Sequence, residues 1–246
     1  MDNKTYKSTI NGSIAGGLGY IVTLPIDAIK QNIQTGNKII SKDFKSYFKG
    51  GLLGLYCIVP QMAIKFSSNS YLEHHYKMNP YINGLISGSM DGAFLGPILA
   101  SQSLQQMNNK LNYKDSLHIM KQKSIGNLFN LCIPMSLRNG VYTSIVFGGY
   151  KQMCITPNIK NTFIQDFYMI SLLNIPATIL SCPFDVIRAV QTKNLLENKN
   201  INFLDICKSI YKNNGLLGFF KGYKILYINF AIRFPLTLSI FNYMSS

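Results

Sequence analysis

The chain contains no tryptophan, only ten acidic residues in 246, and three arginines among its 24 basic residues. Charged residues make up 14% of it and hydrophobic ones 47%. That poverty of charge is unusual in a soluble domain and ordinary in a membrane protein. No glycine-rich phosphate loop, nucleophile elbow or pair of catalytic carboxylates occurs, so neither an enzyme nor a cofactor is expected. The histidines His74, His75 and His118 form no zinc or triad pattern. The cysteines Cys57, Cys132, Cys154, Cys182 and Cys207 lack metal-ligand spacing. They sit in or near apolar runs, where free cysteine behaves as a small hydrophobe. Met1 to Lys7 is too short and polar to read as a cleaved targeting peptide.

What the chain has instead is long apolar runs. A membrane span needs about 20 mostly apolar residues. Six stretches fit: 8–34, 52–72, 81–107, 128–150, 163–192 and 222–244. A soluble helical protein is the alternative. The net charge of +14 first suggests nucleic acid. Yet the lysines cluster in three connections: Lys38, Lys42, Lys45 and Lys49; Lys110, Lys114, Lys121 and Lys123; Lys193, Lys199, Lys208, Lys212 and Lys221. With six spans these connections share one side, a positive-side bias that suits lipid headgroups and excludes a nucleic-acid reading.

Two segments repeat one signature: Pro25-Ile26-Asp27-Ala28-Ile29-Lys30 and Pro183-Phe184-Asp185-Val186-Ile187-Arg188. Proline removes a helix hydrogen bond and bends the helix. Residues three apart share a helix face. Charges at membrane depth are costly and face a bundle interior. The pattern predicts bent spans joined by interhelical ion pairs. Aromatic-Lys-Gly follows each signature, as Tyr47-Phe48-Lys49-Gly50 and Phe219-Phe220-Lys221-Gly222. A degraded copy lies between them. Pro97 is kept, Leu99 stands for the acid, Gln102 for the cation, and Phe129-Asn130-Leu131 for aromatic-Lys-Gly. Gln34, Gln106 and Thr192 each lie nine residues after their proline. Three units follow, approximately 1–77, 78–156 and 157–246, within one domain.

These residues resemble the mitochondrial carrier family, whose motif is Pro-x-acidic-x-x-basic followed by aromatic-basic-Gly. Pro60 with Ala63-Ile64-Lys65-Phe66 resembles its second-helix motif. The resemblance implies an all-α membrane protein, six transmembrane helices in three pseudo-threefold repeats, short matrix-side helices and a central cavity. It implies helix bends at Pro25, Pro97 and Pro183. It implies a matrix-side gate of Asp27, Lys30, Gln102, Asp185 and Arg188. Arg188 would meet Asp27, Gln102 would meet Asp185, and Lys30, facing Leu99, would find no acid. It implies substrate contacts at Cys57, Arg138 with Asn139, and Asn229, with Arg233 one turn on. The other gate looks poorer. Tyr150-Lys151 and Phe241-Asn242 stand where aromatic-acidic is expected, and Tyr71 and Glu73 lie slightly out of register. The implied setting is the mitochondrial inner membrane (a host's, were the chain viral). The implied partners are a small anionic solute, the lipid bilayer and cardiolipin at matrix-side helix ends, with the protein a monomer.

All three arginines, Arg138, Arg188 and Arg233, fall in predicted spans. They place planar, permanently charged donors at membrane depth. Lys65 either lines the cavity or snorkels to the interface. Asp91 either pairs with Arg138 or takes a proton. The cations exceed the acids by about two, which suits a nucleotide phosphate and, almost as well, a carboxylate. Arg138 followed by Asn139 resembles the family's carboxylate carriers. The eroded middle repeat also admits a non-transporting scaffold. The spacing of Gly84, Gly88, Gly92 and Gly96, with Gly12, Gly16 and Gly19 upstream, predicts close helix packing.

Overall fold

The computed structural model describes residues 3–35, 48, 51–108, 111–121, 125–154, 163–197, 199 and 202–245. These are almost entirely helical: α1 Asn3–Thr35, α2 Gly51–Tyr76, α3 Pro80–Met107, α4 Tyr113–Lys121, α5 Ile125–Cys154, α6 Phe163–Leu196, α7 Phe203–Asn214 and α8 Tyr223–Ser245. A 3-10 turn at Leu216–Phe220 precedes α8. The six long helices cover the six predicted stretches, except that α8 begins one residue inside the last of them. Each overruns its stretch by a few residues at one or both ends. Most of the basic first connection, including Lys38, Lys42, Lys45 and Lys49, lies outside the described residues, as do Lys110 and Lys123.

The long helices close into a ring, with α1 on α2, α2 on α3, α3 on α5, α5 on α6, α6 on α8 and α8 on α1. The side chain of Asn11 donates to the carbonyl of Met244 at 3.0 Å, tying the two chain ends together. The short helices α4 and α7 belong to the opposite end. There α7 buries Ile206 and Ile210. It begins at Asn202, whose side chain caps the amide of Leu204, and stops at Gly215 with φ +63°.

Polarity in the ring is inside out. On α1, Ile10, Ile14, Leu18 and Ile21 are exposed while Asn11, Asp27, Lys30, Gln31 and Gln34 are buried. On α3, Leu85, Phe94 and Ile98 are exposed while Asn83, Asp91, Gln102 and Gln106 are buried. Apolar surface outward and polar surface inward is the arrangement that lipid selects. Among the described residues, three segments are long and apolar enough to cross a bilayer, Thr9–Gln34, Ile164–Leu196 and Leu216–Met244. In α2, α3 and α5, buried polar side chains such as Gln61, Lys65, Asp91 and Asn139 lower the average hydropathy over both faces.

Helices run through Pro25 in α1 and Pro183 in α6. Pro97 lies within the span of α3. The even-numbered spans carry prolines as well, Pro60 in α2, Pro134 in α5 and Pro235 in α8. The glycine series on α3 packs against the α5 backbone. A Cβ on Gly84 would lie 2.7 Å from the carbonyl of Thr143, one on Gly88 2.3 Å from that of Asn139, and one on Gly92 2.6 Å from Ser136 Cα. The predicted close packing is thus present and sets α3 directly on α5. Gly222, the glycine of the second aromatic-Lys-Gly element, has φ +78° and lies against Gln34 of α1. Both its backbone and its crowding favour glycine.

Candidate functional site

Inside the ring the charged side chains converge on three buried acids. Asp27 sits two residues after Pro25 and Asp185 two residues after Pro183, and both carboxylates are buried inside the ring. Lys30 Nζ lies 3.5 Å from Asp27 Oδ1 and 3.5 Å from Asp185 Oδ2, bridging α1 and α6. Asp185 also meets Arg138 Nε at 3.0 Å and Arg188 Nη2 at 3.5 Å. The Arg138 contact is an ion pair, because Nε makes no aligned hydrogen bond. Gln34 donates to Asp185 Oδ2 at 2.7 Å. Asp27 accepts from Arg233 Nη2 and, at 3.1 Å, from Asn229 Nδ2.

These contacts correct three expectations. Arg188 does not meet Asp27. Its Nη1 donates to Ser103 of α3 at 2.8 Å, and its acid is Asp185 on its own helix. Arg233 and Asn229 of α8 occupy Asp27 instead. Lys30 does find acids, two of them, so the α1–α6 link runs through the first helix's cation and the sixth helix's acid. Gln102 does not meet Asp185. It donates to the hydroxyl of Tyr20 at 2.7 Å. Leu99 joins Cys57, Leu95 and Met135 in an apolar cluster. Leu99 and Met135 also line the central cavity, whereas Cys57 is buried behind them and is not among its lining residues.

The third acid, Asp91, is fully buried on α3. Lys65 Nζ of α2 lies 2.9 Å from its Oδ2, and Asn139 Nδ2 of α5 donates to its Oδ1 at 2.5 Å. Of the two readings of Asp91, the direct pair with Arg138 is replaced by a relay, in which Arg138 Nη1 donates to Asn139 Oδ1 at 2.9 Å. Lys65 faces inward and does not snorkel.

The network encloses a central cavity of about 70 Å³, lined by Lys30, Lys65, Arg138, Asn139, Arg188 and Arg233 among others. Aromatic rings back the cations. Arg138 lies 4.9 Å from the Phe230 ring centre, Arg233 5.1 Å from Tyr20, and Lys65 5.5 Å from Phe234. Toward the chain ends a second cavity of about 510 Å³ opens, lined by Phe66, Glu73, Phe147, Tyr150, Lys151, Asp166, Phe241 and Asn242 among others. Phe66 stacks on Phe241 at 4.2 Å and meets Phe147 at 5.4 Å. On each helix these rings follow the residues of the central cavity, so an aromatic layer separates the two spaces.

At the rim, Lys151 pairs with Glu73 at 2.7 Å, although Glu73 is out of register in the sequence. Asp166 of α6, absent from any motif, accepts from the Tyr150 hydroxyl at 2.8 Å and from Asn242 at 2.9 Å. Tyr20, Ser103 and Gln61 also escaped the sequence reading. Their types are common in helices, and only a neighbour gives each its role. The i, i+3 spacing of Gln31 and Gln34 after Asp27 was the one available hint of an extended polar face.

A family model described as "Mitochondrial carrier protein" matches residues 160–246. The chain is 23% identical over 276 residues to the mitochondrial aspartate-glutamate transporter of Saccharomyces cerevisiae, covering 94% of this chain and 30% of that protein. It is 24% identical to mitochondrial thiamine pyrophosphate carrier 1 of Candida glabrata, over 65% of this chain and 55% of that protein. It is 23% identical to solute carrier family 25 member 45 of Mus musculus, over 94% of each. The chain thus spans 30% and 55% of the length of the first two of these relatives.

Proposed function

We propose that the chain is a member of the mitochondrial carrier family, a multi-pass protein of the mitochondrial inner membrane, and that it carries a small anionic metabolite across that membrane, a nucleotide first. The ring is read as six spans in three two-helix units, 1–77, 78–156 and 157–246, acting as a monomer with cardiolipin at the matrix-side helix ends. The family match at 160–246 falls within the third unit. Substrate would meet Arg138, Asn139, Lys65 and Arg233, and would shift the charge network between two arrangements.

One observation carries this reading: Lys30, Lys65, Arg138, Arg188 and Arg233 outnumber Asp27, Asp91 and Asp185 around one enclosed cavity. An excess of about two positive charges attracts a polyanion. The rings of Tyr20, Tyr142, Phe230 and Phe234 offer a base an apolar surface beside those cations. The name of the thiamine pyrophosphate relative also points to a phosphate ester. A carboxylate is the second reading, favoured by the adjacent Arg138 and Asn139 and by the name of the aspartate-glutamate relative. At about 70 Å³ the cavity is far below the roughly 300 Å³ of a ligand pocket, so substrate needs an opened ring.

The test is uptake by purified protein in liposomes, with labelled ATP, ADP, 2-oxoglutarate and aspartate in parallel. Saturable nucleotide uptake is expected. Uptake of carboxylates alone would replace the first reading with the second. Uptake of none would return the chain to a membrane scaffold.

A further inference from the structure

Asp91 differs from the other two acids in having a single direct counter-charge, Lys65, where Asp27 has Lys30 and Arg233 and Asp185 has Lys30, Arg138 and Arg188. It does not line the central cavity, yet two residues that do, Lys65 and Asn139, contact it directly. The charged groups facing it are Lys65 from α2 at 2.9 Å and, through Asn139, Arg138 from α5. Gln61 of α2 adds a longer contact at 3.5 Å. Gly88 and Gly92 flank Asp91 and set α3 hard against α5, which holds the carboxylate within reach of Asn139. Asp91 is fully buried in this arrangement, 0% exposed.

The counter-charge of Asp91, Lys65, and the cation behind its partner Asn139, Arg138, are therefore the groups that an incoming anion would claim. A substrate anion drawing Lys65 toward the cavity removes the one direct counter-charge. The same anion on Arg138 pulls at Asn139, because Arg138 donates to its carbonyl oxygen. A carboxylate deprived of both in a low-dielectric interior is strongly disfavoured, and binding a proton is the least costly remedy.

We propose that Asp91 is a proton site coupled to the substrate: anion binding to Lys65 and Arg138 frees the Asp91 carboxylate, which takes one proton from the side of entry and returns it on the other side as Lys65 closes back. The balance is one anion and one proton moved together, with no covalent change. This rests on the anion-carrier reading above, but the protonation itself is testable without a substrate.

The first arm is infrared spectroscopy of the purified protein at neutral pH. Lys65→Met should show a protonated-carboxyl carbonyl band that Lys65→Met/Asp91→Asn lacks. No such band overturns the proposal whatever the protein transports. The second arm measures accumulation of labelled ATP and of labelled 2-oxoglutarate in liposomes. An inward gradient of one pH unit should raise accumulation of the transported anion about tenfold for one coupled proton. In Asp91→Asn the accumulation that remains should ignore the gradient. Gradient-independent accumulation by the wild type, or gradient dependence kept by Asp91→Asn, overturns the proposal. If Asp91→Asn does not fold, the Lys65→Met band decides. If neither anion enters, the carrier reading fails, and the infrared arm still decides whether Asp91 is a proton site.

Discussion

The two ends of the ring are held by different chemistry. At the end carrying α4 and α7, Asp185 alone gathers Lys30, Arg138, Arg188 and Gln34, all from buried positions. At the end carrying the chain termini, one ion pair among the described residues, Lys151–Glu73, joins α5 to α2, with its side chains 39% and 44% exposed. Beside it stands the neutral-donor cluster of Tyr150 and Asn242 on Asp166. The space between the helices follows suit, about 70 Å³ within the charge network and about 510 Å³ at the open end. Burial explains the contrast. Charges withdrawn from water must be matched one by one and resist separation, whereas exposed charges exchange partners with solvent at little cost. The arrangement suits a ring that rests closed at one end and loosely covered at the other.

The comparison breaks most completely at Asp185. Asp185→Asn leaves three buried cations short of one carboxylate, and removing one partner of a buried pair costs roughly 3–5 kcal/mol. Thermal unfolding in detergent should show a marked fall in midpoint, with uptake lost. A near-wild-type midpoint would mean that Asp185 does not organise the closed end. Next in size is Arg138→Ala, which removes a charge-assisted contact of about 1.5–3 kcal/mol and should lower the uptake rate at least about tenfold. Arg138→Lys should stay impaired if the bound group is planar and bidentate. Unchanged uptake by folded Arg138→Ala would sink the contact.

At the open end the effects should shrink. Asp166→Asn weakens a cluster in which Tyr150 and Asn242 both donate to the carboxylate. A loss of about 1–3 kcal/mol is expected from the partners left unsatisfied, read as a lower unfolding midpoint. Glu73→Gln should be smallest, at most about 1 kcal/mol and vanishing in high salt, because the pair is exposed. A Glu73→Gln effect as large as that of Asp185→Asn would remove the distinction between the two ends.

The degraded middle repeat shows how far the sequence could be read. Leu99 and Gln102 announce that an ion pair is missing. They do not announce that Leu99 packs with Cys57, Leu95 and Met135, or that Gln102 of α3 finds Tyr20 on α1. The partner of Lys30 was misjudged for the same reason. Family spacing predicts which residues face inward, and all of Asp27, Lys30, Asp185 and Arg188 do so. It does not say which cation reaches which acid. That depends on side-chain length, helix rotation and competition, here from Arg233 and Asn229 for Asp27.

Periodicity and composition by themselves determined the helices, their inward and outward faces, the glycine face of α3 that allows close packing and the convergence of charge on one interior. Each of these is a local or single-helix property. Side-chain pairing, the relay from Arg138 through Asn139 to Asp91, the Asp166 cluster and the separation of two cavities were decided only in the tertiary structure. Each needs distances between helices far apart in the chain, and ångström differences choose the partner of a buried charge.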